Sequence, residues 1–288
     1  MYGEPRFGGE VSADAASSHR IVAVERVIAA MHQREDRALC LRTMAEIANL
    51  SPYHFARTFR EVTGIPPGEF LTAVRLERAK RLLVGTDLSV AEVCFEVGYE
   101  SVGTFATRFK DLVGLPPGRM RRLPEELHAA LGHADGWYQS LPPPPEEAGV
   151  AFRVHGPDLP GSMIFAGLFP SAVPQGRPVA GTVLGAPGSY RLFPVPDGHY
   201  HLMAAALPRS EDPRRLLAPG DALRVGRARR PLLVRGGRVG GQVDVTLRPV
   251  RPTDPPVLVA LPNLLLERLT SARKGPWARD KAHRQTAR

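Results

Sequence analysis

The chain has 288 residues, enough for two domains of ordinary size that each bury a core of their own. Two cysteines, Cys40 and Cys94, exclude a disulfide framework or a cysteine-based zinc site, and a polar start containing Glu4, Glu10 and Asp14 with no long apolar run predicts a soluble, cytoplasmic protein without signal peptide or membrane contact. The net charge of +9 invites a nucleic-acid reading, yet residues 1–140 hold 17 Lys and Arg against 18 Asp and Glu, so the surplus lies in residues 141–288 and a DNA site must be argued from pattern.

In chain order, residues 1–18 are short of hydrophobes and are expected to be a disordered tail. Residues 19–124 are rich in helix formers with 3.6-period apolar positions, and their Gly and Pro fall between the periodic runs, so this stretch is expected to be all-α. Cys40 and Cys94 take apolar helical positions within it, which predicts two buried thiols. Residues 125–148, with Pro142 to Pro145, are expected to form an extended linker. Residues 149–268 change grammar: Val150–Val154, Met163–Phe169, Tyr190–Phe193, His199–Ala205 and Val243–Leu247 alternate or are β-branched and are separated by Pro- and Gly-rich turns, the pattern of an all-β, sandwich-like domain. Residues 269–288 are polar and basic and are expected to be a disordered tail.

The helical half contains an internal repeat. Met44 to Ser51 matches Val93 to Glu100 at an offset of 49; beyond the turn the offset is 50, and Phe55, Phe59, Val62, Gly64, Ile65, Pro66 and Pro67 correspond to Phe105, Phe109, Leu112, Gly114, Leu115, Pro116 and Pro117. A short helix, a tight turn and a second helix are thus duplicated. Asn49 and Gly98 stand where the first helix must end at positive φ. Ser51-Pro52 provides an N-cap and a proline at the first helical position, and Ser89 with Glu92 has capping-box spacing. The second helices end at Gly64 and Gly114, with two prolines behind each.

Phe55, Phe59 and Val62, like Phe105, Phe109 and Leu112, fall at i, i+4, i+7 and must pack inward. Tyr53, Ala56, Arg57 and Arg60 then point outward, as do Gly103, Ala106, Thr107 and Lys110. Between the units Gly68–Val84 is expected to be one helix, striped by Phe70, Ala73, Leu76, Ala79 and Leu83; about 17 residues span about 25 Å, a rigid spacer suited to major grooves about 34 Å apart.

These features resemble the DNA-binding module of the AraC/XylS family of transcription regulators. The likeness runs from about Ile21 to Arg122 and includes Arg75-Leu76-Glu77-Arg78-Ala79-Lys80-Arg81-Leu82-Leu83 in the spacer helix. It also includes the closing signature Val97-Gly98-Tyr99-Glu100-Ser101 through Phe105, Arg108-Phe109-Lys110, Gly114, Pro116-Pro117 and Arg121. The resemblance implies that the helices starting at Pro52 and after Ser101 enter successive major grooves of double-stranded DNA. Base-edge contacts would then come from Tyr53, Ala56 and Arg57 in the first and from Val102, Gly103, Ala106 and Thr107 in the second. Phosphate contacts would come from Ser51, Arg60, Thr104, Arg108, Lys110, Arg119, Arg121 and Arg122. The second face has no long polar side chain, so discrimination should rest chiefly on Arg57, which can pair bidentately with guanine. RNA polymerase is an expected further partner.

In the β-rich half, the run Tyr190-Arg191-Leu192-Phe193-Pro194-Val195-Pro196-Asp197-Gly198-His199-Tyr200-His201-Leu202 predicts a strand–turn–strand hairpin. It resembles that of the transthyretin-like sandwiches of carboxypeptidase regulatory domains, and Val239 to Val250 resembles a later strand of the same fold. That likeness implies an interaction or structural role, and no activity is carried over from it. His199 and His201 share a strand face but lack a third ligand, so no metal, cofactor or catalytic site is expected. The leading expectation is a sequence-specific transcription regulator whose C-terminal domain binds an unknown ligand or protein. An architectural DNA-binding protein is the alternative. A DNA-tethered alkyl-transfer enzyme would need a reactive, exposed cysteine.

Overall fold

A computed structural model describes residues 10–33, 39–131, 149–157, 159, 161–207, 210 and 212–274. Among the described residues seven helices come first: α1 (Glu10–Gln33), α2 (Leu41–Ile47), α3 (Pro52–Thr63), α4 (Pro67–Gly85), α5 (Val90–Glu96), α6 (Val102–Val113) and α7 (Pro117–Leu131). Two of these ranges extend past the sequence boundaries. Residues 10–18, expected to be a tail, begin α1, and residues 125–131, assigned to the linker, complete α7, where Pro124 lies inside the helix. The rest of the proline-rich stretch, up to residue 148, lies outside the described residues.

The turn chemistry fixes the helix ends as its residue types require. Asn49 has φ 55° and Gly98 φ 82°, each ending a short helix in the left-handed region. Ser51 Oγ accepts from the His54 N–H, and Ser89 and Glu92 form a reciprocal capping box. α3 and α6 stop at Gly64 (φ 84°) and Gly114 (φ 94°).

Two apolar clusters organise the helices. Phe55, Phe59 and Phe70 meet edge to face among residues of α1 and α2, with ring centroids 5.4–5.5 Å apart. Phe105 and Phe109 lie in the second cluster with Leu76, Leu83, Cys94 and Met120. α4 contributes to both.

The second half contains β1 (Val150–His155), β2 (Met163–Phe169), β3 (Ala180–Leu184), β4 (Gly188–Leu192), β5 (Gly198–Leu207), β6 (Arg224–Arg227), β7 (Leu232–Val234), β8 (Val243–Thr246) and β9 (Arg248–Pro249), with short α8 (Pro213–Leu217) before β6 and α9 (Leu261–Lys274) at the end. The strands form two sheets. One has the order β4-β1-β8, and the other runs β3-β2-β5-β6-β9 with β7 on the start of β5. Phe152, Val154, Leu192 and Val245 of the first sheet share a core with Ile164, Leu168, Leu202 and Ala204 of the second. The other face of the second sheet is also covered: Phe165, Phe169, Met203 and Leu207 pack with Leu216, Val259 and Leu265. Burial on both faces explains why β2 is an unbroken apolar run rather than an alternating one.

The predicted hairpin does not form. β4 pairs with β1 and β5 pairs with β2, β6 and β7, so Tyr190-to-Leu202 crosses from one sheet to the other. The Pro-Asp-Gly turn signals a change of direction, but nothing local specifies which sheet receives the next strand. α9 likewise runs to Lys274, beyond the expected start of the C-terminal tail, while residues 275–288 lie outside the description.

Candidate nucleic-acid interface

α3 and α6 each separate sharply into two faces. Phe55, Phe59, Phe105 and Phe109 are fully buried. On the opposite side Tyr53 is 83% exposed, Arg57, Gly103 and Thr107 are exposed, and Ala56 and Ala106 are partly covered by their neighbours. Val102, at the first position of α6, is exposed as well. Seven residue positions predicted to meet base edges therefore lie on two accessible helix faces, each backed by a rigid aromatic core. Among the described residues, none of the β-rich half buries these faces.

Charge on the first face is loosely held. Arg57 Nε lies 3.5 Å from Glu61 Oε1, one turn along α3, and Arg20 lies 3.5 Å from the other oxygen of the same carboxylate. Such exposed pairs contribute little, so Arg57 can exchange its partner at small cost. The face of α6 offers Thr107 as its one hydrogen-bonding side chain among the four base-edge positions.

The phosphate candidates divide into those with exposed side chains and those whose groups hold other parts of the fold. Arg60, Thr104, Arg108, Lys110 and Arg122 are exposed. Ser51 is exposed but caps α3, and Ser101 caps α6 by accepting from the Thr104 N–H at 3.4 Å. Arg119 lies 3.6 Å from Glu126. Arg121 turns inward instead, donating to the carbonyls of Thr86 and Leu88, and so ties α7 to the connection between α4 and α5.

Sequence reasoning missed the residues that set the relation between the two units. Arg78 of α4 pairs with Glu96 at the end of α5, and Arg75 lies against Gly98, where an added Cβ would meet its guanidinium at 3.4 Å. Lys80, also on α4, is buried and donates to the Val257 carbonyl at 2.9 Å. Burial lowers its pKa to about 8. One signal was available: Lys80 interrupts an apolar row formed by Leu76, Leu83 and Val84.

The cysteines differ from each other. Cys94 is buried, which raises its thiol pKa, as expected for a core position. Cys40 is exposed at the N-cap of α2, and this corrects the prediction of a buried thiol. Its Sγ lies 3.4 Å from the Thr43 hydroxyl, and that hydrogen bond is the main cause of a lowered pKa. Apolar periodicity misplaced it because a cap position belongs to no helical face.

His199 is exposed, whereas His201 is half-buried and its pKa is lowered by burial and then by Arg227. Among the described residues no three His, Cys, Asp or Glu side chains gather as a metal site, and no helix is long and apolar enough to cross a membrane.

Comparison with known proteins agrees with the geometry. Residues 44–123, which span both helix pairs and α4, match the family model for a helix-turn-helix domain. The bifunctional transcriptional activator/DNA repair enzyme AdaA of Bacillus subtilis is 35% identical over 85 residues, which are 30% of this chain and 40% of AdaA. A Streptomyces lividans protein named as an AraC-like transcription regulator is 31% identical over 101 residues, 35% of this chain and 33% of the relative. The solved C-terminal domain of AraT, a response regulator from Geobacillus stearothermophilus, is 33% identical, with 35% of this chain and 84% of that one covered and a TM-score of 0.34. The chain spans about a third of the length of the first curated relatives, so the likeness belongs to the helical half. Within those limits, residues 44–123 form a helix-turn-helix domain that is similar, over that stretch, to AraC-like transcription regulators.

Proposed function

We infer that the chain is a sequence-specific transcription regulator that lays α3 and α6 in successive major grooves of one duplex. The observation that carries this reading is the pair of exposed outward faces on α3 and α6, each fixed by a fully buried Phe–Phe pair and both tied to one 19-residue helix. That helix is about 28 Å long at 1.5 Å per residue, a length that suits two adjacent grooves. Base-edge contact falls to Tyr53, Ala56, Arg57, Val102, Gly103, Ala106 and Thr107. Phosphate contact falls to Ser51, Arg60, Thr104, Arg108, Lys110, Arg119 and Arg122. For Arg121 the two carbonyls it already binds leave a positioning role.

RNA polymerase is the partner such a regulator would need. The β-rich half is best taken as a two-layer sandwich with helices over one outer face, serving to sense a ligand or partner, without catalytic activity. Footprinting of selected genomic fragments tests the reading. Two protected patches one helical turn apart support it, and protection spread evenly over every fragment overturns it.

A second reading, an architectural protein of low specificity, draws on the α6 face, where Val102, Gly103 and Ala106 offer methyl contact and shape fit instead of hydrogen bonds. Even protection in the same footprint favours it.

A further inference from the structure

A cavity of about 970 Å³ lies between the outer face of the second sheet and the helical half. Its floor is one period-2 set of strand residues: Phe165 and Phe169 of β2, Val183 of β3, Met203 and Ala205 of β5 and Val225 of β6. Its far side is formed by α4 through Glu77 and Arg81 and by α1 through His32. The cavity has the size and mostly apolar lining of a small-molecule site, and it lies between two structural units, where such sites concentrate.

The charges around it show a bias. Arg177 pairs with Glu267 at 2.6 Å, Arg248 binds Asp254 through both nitrogens, and Arg81 lies 3.9 Å from Glu77. Arg227 and Arg251 have no ion pair or side-chain hydrogen bond among the described residues, and Asp221 is the one lining carboxylate in the same condition. An apolar chamber with a surplus guanidinium suits an apolar molecule that ends in an acid.

The walls reach both DNA-facing helices. The β2–β3 connection supplies Pro174 and Arg177 to the cavity, while Val173, next to them, is buried in the cluster around Phe55 and Phe59. Three residues after Val173, the Gly176 N–H donates to the Leu112 carbonyl at the end of α6 at 2.6 Å. Pro174 in turn accepts from the N–H groups of Leu258 and Val259, and the Ala260 N–H donates to the Val113 carbonyl at 3.1 Å. Arg227 itself reaches the end of α3, with Nη1 3.5 Å from the position of a Cβ on Gly64.

We propose that this cavity binds a hydrophobic carboxylic acid, held by Arg227 at its anionic end, and that its occupancy changes DNA affinity by shifting the β2–β3 connection and α4, to which both recognition helices are attached. The proposal rests on the ligand-sensing role assigned above to the β-rich half and gives that role a site and a ligand class. Ligand and DNA are linked because both act on the same connection and the same helix.

The test uses the full chain and dodecanoate, with dodecanol as the neutral probe of equal length. Calorimetric titration should give dodecanoate at least roughly tenfold tighter binding than dodecanol, and Arg227→Gln should remove the difference, as loss of a charge-assisted hydrogen bond requires. Ala205→Phe, which fills the floor, should abolish binding of both; Val225→Trp on the next strand serves the same end if the first variant melts early. A duplex selected by the unliganded chain should then change its affinity by at least roughly fivefold under saturating dodecanoate, and the filled variant should not respond. Equal binding of acid and alcohol overturns the proposal, as does a duplex affinity that dodecanoate leaves unmoved. A chain that selects no duplex at all sinks the regulator reading instead, whatever the titration gives.

Discussion

The Nζ of Lys80, in the C-terminal half of α4, donates to the main-chain carbonyl of Val257 at 2.9 Å across 177 positions of sequence. This bond joins the spacer helix of the DNA-binding half to the segment that leads into α9, and burial holds the lysine's pKa at about 8 against an ordinary 10.5. Between those values the unfolded chain keeps its proton and the folded one has lost it, so stability rises as pH climbs from about 8 through 10.5. Below about 8 the buried ammonium carries its full cost, about 3 kcal/mol. Cys94 and Tyr99, whose ionisation burial disfavours, act in the opposite direction, so the informative quantity is a difference. Lys80→Met should lose the alkaline gain that the unaltered chain shows in thermal melts at pH 8 and pH 10. Identical pH profiles would remove Lys80 from the account.

Arg57→Ala should weaken binding to a selected site at least tenfold, about 1.4–3 kcal/mol, while affinity for random duplex changes little. A fluorescence anisotropy titration against both duplexes separates the two outcomes. Equal losses on both would make Arg57 a phosphate contact.

Phe109→Ala should destabilise the folded chain by about 3–5 kcal/mol, because the ring is fully buried and tilted against Phe105 at 5.5 Å between centroids. Tyr53→Ala, which alters a side chain 83% exposed, should leave the melting temperature within experimental scatter and act on DNA affinity alone. If chemical denaturation ranked the two variants the other way round, the inward and outward faces would have been exchanged.

Cys40 should react with iodoacetamide in the folded chain well before Cys94, since it is exposed and its thiol is made more acidic by Thr43, while burial does the reverse to Cys94. Mass spectrometry of a timed reaction reports both sites. The same spectrum, taken after incubation with alkylated duplex, should show no mass added to Cys40; an added alkyl group would establish the DNA-tethered enzyme and end the assignment of a pure regulator.

The helical half was legible because its signals are local. Asn49, Gly98, Ser51, Gly64 and Gly114 each dictate a backbone conformation within a few residues, and a duplicated set of such signals fixes two helix pairs with little help from the rest of the chain. In the β-rich half the long apolar strands β2 and β5 stood out, whereas β3, β6, β7 and α8 have only three to five residues each and owe their form to partners far away in sequence. Sheet membership is a property of that kind, and the run from Tyr190 to Leu202 was misjudged for this reason. The cavity was invisible for the same cause: Met203, Val225 and Glu77 share it only after three distant segments come together. Arg121 and Lys80 show the converse, since a basic residue on a helix looks solvated until a carbonyl is found facing it.

The bonds from Gly176 to Leu112 and from Ala260 to Val113 run from main chain to main chain. Most side-chain replacements leave such a link in place, so drift at the surface of either half would leave their mutual attachment standing; the exceptions are a proline at either donor, which removes the N–H, and a side chain on Gly176, where φ is 65° and a Cβ would meet the Asp111 carbonyl at 3.0 Å. What would also break it is a change in loop length between Ser171 and Pro178, and a one-residue deletion there should unfasten α6 from the sheets while every helix and strand stays intact.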